Sequence, residues 1–182
     1  MRGRAIDRWR GAKWIGLAIA AALLTRNATA QQAANVEAVA VSDGDTLHVV
    51  LGEARVRVRL SRIDAPEHGQ AFGRRSEQSL RELVGRKTVL MTWRTSDRHG
   101  RPIATIEVDG MDVSREQVRR GMAWVYRRYS RDEDLLRIEQ EARDARRGLW
   151  SDPHAIAPWE WRRSKKAATN DAAPGRGISP NQ

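Results

Sequence analysis

The 182-residue chain contains no cysteine, a single phenylalanine and two tyrosines. The missing thiols exclude disulfide cross-links and any chemistry that needs a thiolate. It also lacks an apolar run of the roughly 20 residues that a membrane-spanning helix requires. The longest such run, WIGLAIAAALL, covers residues 14–24. Acidic residues are outnumbered, 23 against 33 Lys and Arg, for a formal charge of +10. That balance favours an anionic partner.

Part of this basicity belongs to the first 30 residues. MRGRAIDRWRGAK is a basic stretch, the apolar run follows, and Ala28-Thr29-Ala30 closes it as a small-x-small site. This order is that of a secretory signal peptide cleaved after Ala30, which implies a secreted or periplasmic protein. Residues 1–30 carry six Arg or Lys and one Asp, so their removal leaves about +5. Without disulfides the remainder must rely on its core. That is feasible, because a domain of about 150 residues buries roughly 70% of its unfolded surface. Residues 163–182 (RSKKAATNDAAPGRGISPNQ) have almost no large apolar side chains and read as a disordered basic tail. One domain is therefore expected over residues 31–162, with no internal repeat.

Within it, Val36–Val41, Thr46–Leu51 and Arg55–Leu60 alternate as strands separated by the tight-turn signals Asp43-Gly44 and Gly52-Glu53. In RVRVRL, Val56, Val58 and Leu60 share one face while Arg55, Arg57 and Arg59 share the other. Residues 72–84 have helical spacing, with Phe72, Leu80, Leu83 and Val84 on one face and Gly85 as a stop. Residues 88–93 and 103–108 are strands four and five. Ser114 with Gln117, and Ser130 with Glu133, have the spacing of capping boxes ahead of two further helices. On the second of these, Leu135, Ile138, Ala142, Ala145 and Leu149 form a stripe ended by Gly148. The fold class is α+β and mainly β: a five-stranded OB-type barrel with three α-helices.

The acidic candidates are Asp43, Asp45, Asp64 and Glu67. An EF-hand loop starting at Asp43 fails, because Leu47, His48 and Ala54 fall at positions 5, 6 and 12. Alone, SDGDT is an ordinary hairpin turn. IDAPE, after the arginine-bearing strand, offers a second reading. Antiparallel strands bring such ends together, and Asp45 with Asp64 could then share one hard cation, with Glu67 as base for a bound water. Arg59 and Arg101, each unremarkable as a solvated arginine, complete what in-line attack on a phosphodiester needs. A cation lowers the pKa of water, a carboxylate accepts its proton, and guanidiniums hold the charge on the phosphoryl oxygens.

In order and spacing, VSDGDTLHV, VRLSRIDAPE, SDRHGR, RRGMAWVY and GLW resemble the staphylococcal nuclease (thermonuclease-like) family over about residues 36–150. The resemblance implies an OB barrel that hydrolyses DNA and RNA with Ca²⁺ to 3′-phosphate ends, with single-stranded or unpaired nucleic acid as the preferred partner. A monomer without stable membrane association is the default expectation. It implies Asp45, Asp64 and the Ala65 backbone carbonyl as metal ligands, Asp43 as their support, and Glu67, Arg59 and Arg101 as catalytic residues. Arg98, His99, Tyr126 and Tyr129 take the substrate-binding positions. The sequence departs from the family pattern in Ala65, where the family has threonine, and in Arg98-His99, where it has lysine and tyrosine. The loop after Glu67 is also shorter. A histidine there gives a phosphate contact with an altered pH response. The alternative from another class is a catalytically weak or inactive nucleic-acid-binding module on the same barrel, or a barrel for another anionic ligand. The presence of all five of Asp45, Arg59, Asp64, Glu67 and Arg101 favours the enzyme.

Overall fold

The computed structural model describes residues 30–171. Residues 1–29 of the expected leader and residues 172–182 of the expected tail lie outside the described residues. Strands β1 (Gln32–Asp43), β2 (Thr46–Leu51) and β3 (Ala54–Leu60) form the anticipated antiparallel meander. A short β4 (Ile63–Asp64) and helix α1 (Gly73–Val84) follow, then β5 (Thr88–Ser96) and β6 (Pro102–Val108). Strand β5 pairs with β1 and with β6. Parallel pairing of Arg59 with Ile103 and Leu60 with Ala104 joins β3 to β6 and closes a five-stranded barrel.

The interior follows the period-two pattern. Leu47, Val49, Val58, Leu60, Met91 and Ile106 are fully enclosed, and Leu80, Leu83 and Val84 of α1 pack onto them. Two-residue strands β7 (Met111–Asp112) and β8 (Trp124–Val125) flank helix α2 (Val113–Arg119). Helix α3 (Glu133–Asp144), a 3₁₀ turn at Gly148–Ser151 and helix α4 (Pro158–Asp171) complete the described chain. Among the described residues no helix is long and apolar enough to cross a membrane.

Several expectations change. There are four helices among the described residues rather than three, and residues 163–171 continue α4 instead of opening a disordered tail. A shortage of large apolar residues argues against a core. It does not argue against a helix rich in Lys and Ala, whose intrinsic propensity is high. The caps are Asp112, which accepts from the Arg115 N–H at 3.0 Å, and Asp132, which accepts from the Leu135 N–H at 3.0 Å. Ser114 and Gln117 are buried and used elsewhere: Ser114 Oγ donates to the Ser61 carbonyl at 3.1 Å, and Gln117 Nε2 donates to the Gly44 carbonyl at 2.7 Å. Phe72 precedes α1 in a left-handed conformation (φ 65°). Helix α3 stops at Asp144, with Ala145 as its cap, and Arg146 turns left-handed (φ 50°). Leu149 therefore sits on the 3₁₀ turn, in a second apolar cluster with Trp124, Ala142, Trp150 and Ala157.

The β1–β2 connection is tighter than DG alone suggests. Asp43 pairs with Thr46, so the loop is Gly44-Asp45 and Asp45 lies in the turn itself. Gly44 is needed for space. A Cβ there would lie 1.7 Å from Ser76 Oγ and 2.8 Å from Ala65 Cβ. Its carbonyl is pinned by Gln117, so helices α1 and α2 together hold the turn.

Two outcomes are expected in urea denaturation. Gly44→Ala lowers stability by about 1–3 kcal/mol through overpacking, and a loss near zero would mean that the turn moves freely. Asp132→Ala costs about 1 kcal/mol as a lost cap. The Leu135 N–H, then Arg62, hold the Asp132 carboxyl below its ordinary range. Its contribution is therefore complete above the unfolded carboxylate range and lost as pH falls through its lowered folded value, so parent and variant stabilities converge in acid.

Candidate active site

The site is built at one end of the barrel from the β1–β2 turn, the end of β3, and β4. Asp45 is 3% exposed and Asp64 is 0% exposed, so neither carboxylate is solvated. Buried carboxylates need partners. Both find one in Arg59, which lies opposite Thr46 on β3. One arm of its guanidinium pairs with Asp45 Oδ1, and the other donates to Asp64 Oδ1 at 2.8 Å and to the Ile63 carbonyl at 3.3 Å. Asp45 also accepts from Thr46 Oγ1 at 3.0 Å and, through Oδ2, from the Ala65 N–H at 2.8 Å. Asp43 Oδ1 accepts from the Asp45 N–H at 3.1 Å and so shapes the turn.

The local sequence explains this convergence. Period two places Arg59 on the face opposite Val58 and Leu60, which fill the core. The Leu60 N–H donates to the Asp45 carbonyl at 2.8 Å, tying turn to strand. Arg62 takes a left-handed conformation (φ 69°) and pairs with Asp112 and, at 3.1 Å, Asp132. The chain is thereby reversed into β4, whose Asp64 pairs with Trp124 of β8.

Burial pushes the Asp45 carboxyl up to about 6. Arg59 and the Ala65 N–H oppose that rise, while the neighbouring Asp43 adds to it. Arg59 is partly buried, which works against its charge, yet Asp45 and Asp64 raise its pKa above the ordinary arginine value.

The other anticipated residues are distributed unevenly. Glu67 stands three residues after Asp64, its side chain 40% exposed. Arg101 is on the β5–β6 hairpin, where it donates to Asp97 at 2.7 Å rather than to the carboxylate cluster. Those bonds, with the backbone N–H groups of Arg101 and His99, outweigh partial burial and hold the Asp97 carboxyl low. Arg98 and His99 sit exposed at the tip of the same hairpin, with Arg98 Nε donating to His99 Nε2 at 3.1 Å. Tyr126 and Tyr129 meet edge to face at 4.9 Å. Tyr126 is also stacked on Trp159 of α4, 5.5 Å between centroids and nearly parallel, while Tyr129 is 69% exposed.

Two residues of α4 went unnoticed in the sequence. Trp159 is one. The other is Arg162, whose Nη2 donates to Asp64 Oδ2 at 2.7 Å and whose Nη1 reaches both Asp64 Oδ1 at 3.3 Å and Glu67 Oε1. Separations of 98 and 95 residues left no local pattern to reveal these pairings.

Among the described residues no group of three or more His, Asp or Glu converges as a ready metal cage. The donors that do gather, the carboxylates of Asp45 and Asp64 with the Ala65 backbone beside them, are hard oxygen atoms without sulfur or imidazole. This chemistry suits a hard cation that keeps part of its water shell.

The sequence model of the family described as "Staphylococcal nuclease homologue" matches residues 57–152. That match begins within β3 and leaves out the Gly44-Asp45 turn. Longer similarities extend over most of the domain. The chain is 47% identical over 138 residues to "Protein ParB" of Escherichia coli, covering 70% of this chain and 78% of that protein. It is 43% identical over 145 residues to "Micrococcal nuclease" of Shigella flexneri, covering 74% and 83%. It is 45% identical over 128 residues to an "Uncharacterized endonuclease" of E. coli O157:H7, covering 70% and 84%.

Arg59 should prove structural as well as chemical. Arg59→Ala leaves two buried carboxylates without their shared partner and is expected to cost about 3–5 kcal/mol in urea denaturation at neutral pH. Arg59→Lys should recover only part, because one ammonium cannot reproduce the fork. An alanine variant as stable as the parent would show that the carboxylates do not depend on Arg59.

Proposed function

The chain belongs to the staphylococcal nuclease family and is a nuclease, and on that premise we propose that it is an exported, Ca²⁺-dependent enzyme. It hydrolyses phosphodiester bonds of DNA and RNA and leaves 3′-phosphate ends. The observation that carries this reading is the convergence of two buried carboxylates, Asp45 and Asp64, on one guanidinium, with Glu67 three residues away.

Asp45, Asp64 and the Ala65 carbonyl are the residues that would hold calcium. Once bound, the ion would supply an acidified water and a Lewis acid for a phosphoryl oxygen. The protein's own groups do the remainder. Glu67 stands at the exposed rim of the cluster and takes the proton of the attacking water. Arg59, held by the carboxylates, presents a fixed guanidinium toward the phosphoryl oxygens. Arg101 brings a second one from the hairpin. Its pairing with Asp97 keeps the side chain ordered before substrate arrives. Asp43 holds the turn that carries Asp45.

Arg98 and His99 lie exposed where a phosphate backbone would pass, and exposed Tyr129, with Tyr126, offers aromatic surface to a base. Contacts to phosphate and to base faces carry little sequence information, so the enzyme is nonspecific and prefers single-stranded or unpaired substrate. It acts as a monomer and reaches the periplasm or exterior by cleavage after Ala30.

The test compares cleavage of single-stranded DNA and RNA in Ca²⁺ with cleavage in EGTA. Calcium-dependent products bearing 3′-phosphates are expected. Substrate binding without cleavage under both conditions would sink the proposal. Glu67→Ala and Arg101→Ala are each expected to lower turnover by about 10²–10³ or more with circular dichroism unchanged. Loss of the fold instead would make these residues structural.

A further inference from the structure

Of the carboxylates of the site, Asp64 is the one that meets two guanidiniums. One oxygen accepts from Arg59 at 2.8 Å and from Arg162 at 3.3 Å, and the other accepts from Arg162 at 2.7 Å. Arg162 also pairs with Glu67, so one guanidinium from α4 joins a proposed metal ligand to the proposed base. The two arginines differ in setting. Arg59 is 19% exposed on a barrel strand, whereas Arg162 is 42% exposed on a helix near the end of the described chain. One turn earlier on that helix, Trp159 covers Tyr126. Helix α4 thus touches both the acidic cluster and the tyrosine pair.

A carboxylate has two oxygens and about four lone-pair directions. Three guanidinium bonds leave one such direction on Asp64, at Oδ2 beside the 2.7 Å bond from Arg162, so a divalent cation taking Oδ2 would sit against that guanidinium. Arg162 is the weaker-held competitor, being exposed, singly charged and carried on a flexible side chain. Charge repulsion points the same way, since a guanidinium in contact with Asp64 lies next to any cation bound there.

We propose, building on the calcium reading above, that Arg162 is a positioning residue that sets the affinity of the cation site. In the cation-free protein it joins Asp64 to Glu67. It yields Asp64 when a divalent ion binds, and this releases Glu67 to act as base. Divalent binding therefore loosens the attachment of α4.

Calcium titration calorimetry of the wild-type protein, Arg162→Gln and Arg162→Lys tests this. The glutamine variant should bind Ca²⁺ at least about tenfold more tightly, corresponding to about 1.4 kcal/mol, with the lysine variant intermediate because it keeps the charge but loses the fork. Hydrogen exchange gives a second measurement that needs no variant: amides of α4 should exchange faster in wild type on adding Ca²⁺. Equal or weaker Ca²⁺ binding in a folded glutamine variant would overturn the role of Arg162 while leaving the calcium site standing, as would unchanged α4 exchange in a wild type that binds Ca²⁺. If neither wild type nor variants bind Ca²⁺, the calcium reading fails, and the competition with it.

Discussion

The site depends on one desolvated charge cluster, Arg59 between Asp45 and Asp64. Two carboxylates at 3% and 0% exposure cannot stay ionised in a barrel end without a cation in contact with them. Arginine is suited to this place because its planar fork meets both at once, which an ammonium cannot do. The rise of Asp45 toward about 6 shows that the compensation is incomplete. Asp45 therefore retains an appetite for more positive charge.

The barrel turns this local demand into a fixed geometry. A two-residue loop at Gly44-Asp45 leaves Asp45 little freedom, and Ser76 and Gln117 press the loop from two helices. The β3–β6 pairing that closes the barrel begins at Arg59 itself. Closure and site assembly are thus one event, so substitutions at this end of the barrel cannot be expected to separate stability from chemistry cleanly. On the hairpin, Arg101 is different. Its partner is local, the Asp97 carboxylate on the same hairpin.

Legibility in the sequence followed the range of the interactions. The meander, the alternation in RVRVRL and the joining of SDGDT to IDAPE were readable because strand periodicity and tight turns are local. The helix caps were misread at Ser114 and Ser130. Capping spacing identifies residues able to cap, and a buried tertiary partner such as the Ser61 carbonyl can claim the same hydroxyl. The stripe that ran through Ala145 to Leu149 failed for a related reason. Both residues are apolar at helical spacing, but Arg146 reverses the chain and delivers Leu149 to a second cluster around Trp150. Arg162 and Trp159 could not be joined to the site from sequence, because residues nearly a hundred positions apart share no local pattern.

The charge balance explains why such a late segment matters. Asp45, Asp64 and Glu67 face Arg59 and Arg162, which leaves one net negative charge. A phosphodiester approaching to about 5 Å would meet a repulsion of about 3 kcal/mol at an effective dielectric of about 20. Exchanging one guanidinium for a divalent ion would bring the cluster to neutrality and remove that repulsion, while Arg101 stays paired with Asp97 on its hairpin. A permanently neutral cluster built from three arginines would accept phosphate without any metal, but it would hold no acidified water. A cluster with Arg59 alone would leave two carboxylate charges uncompensated in the cation-free protein. The pairing with Arg162 falls between these extremes. It limits the charge left in the cation-free state and, with Arg162 42% exposed, is the contact that the proposed exchange would break.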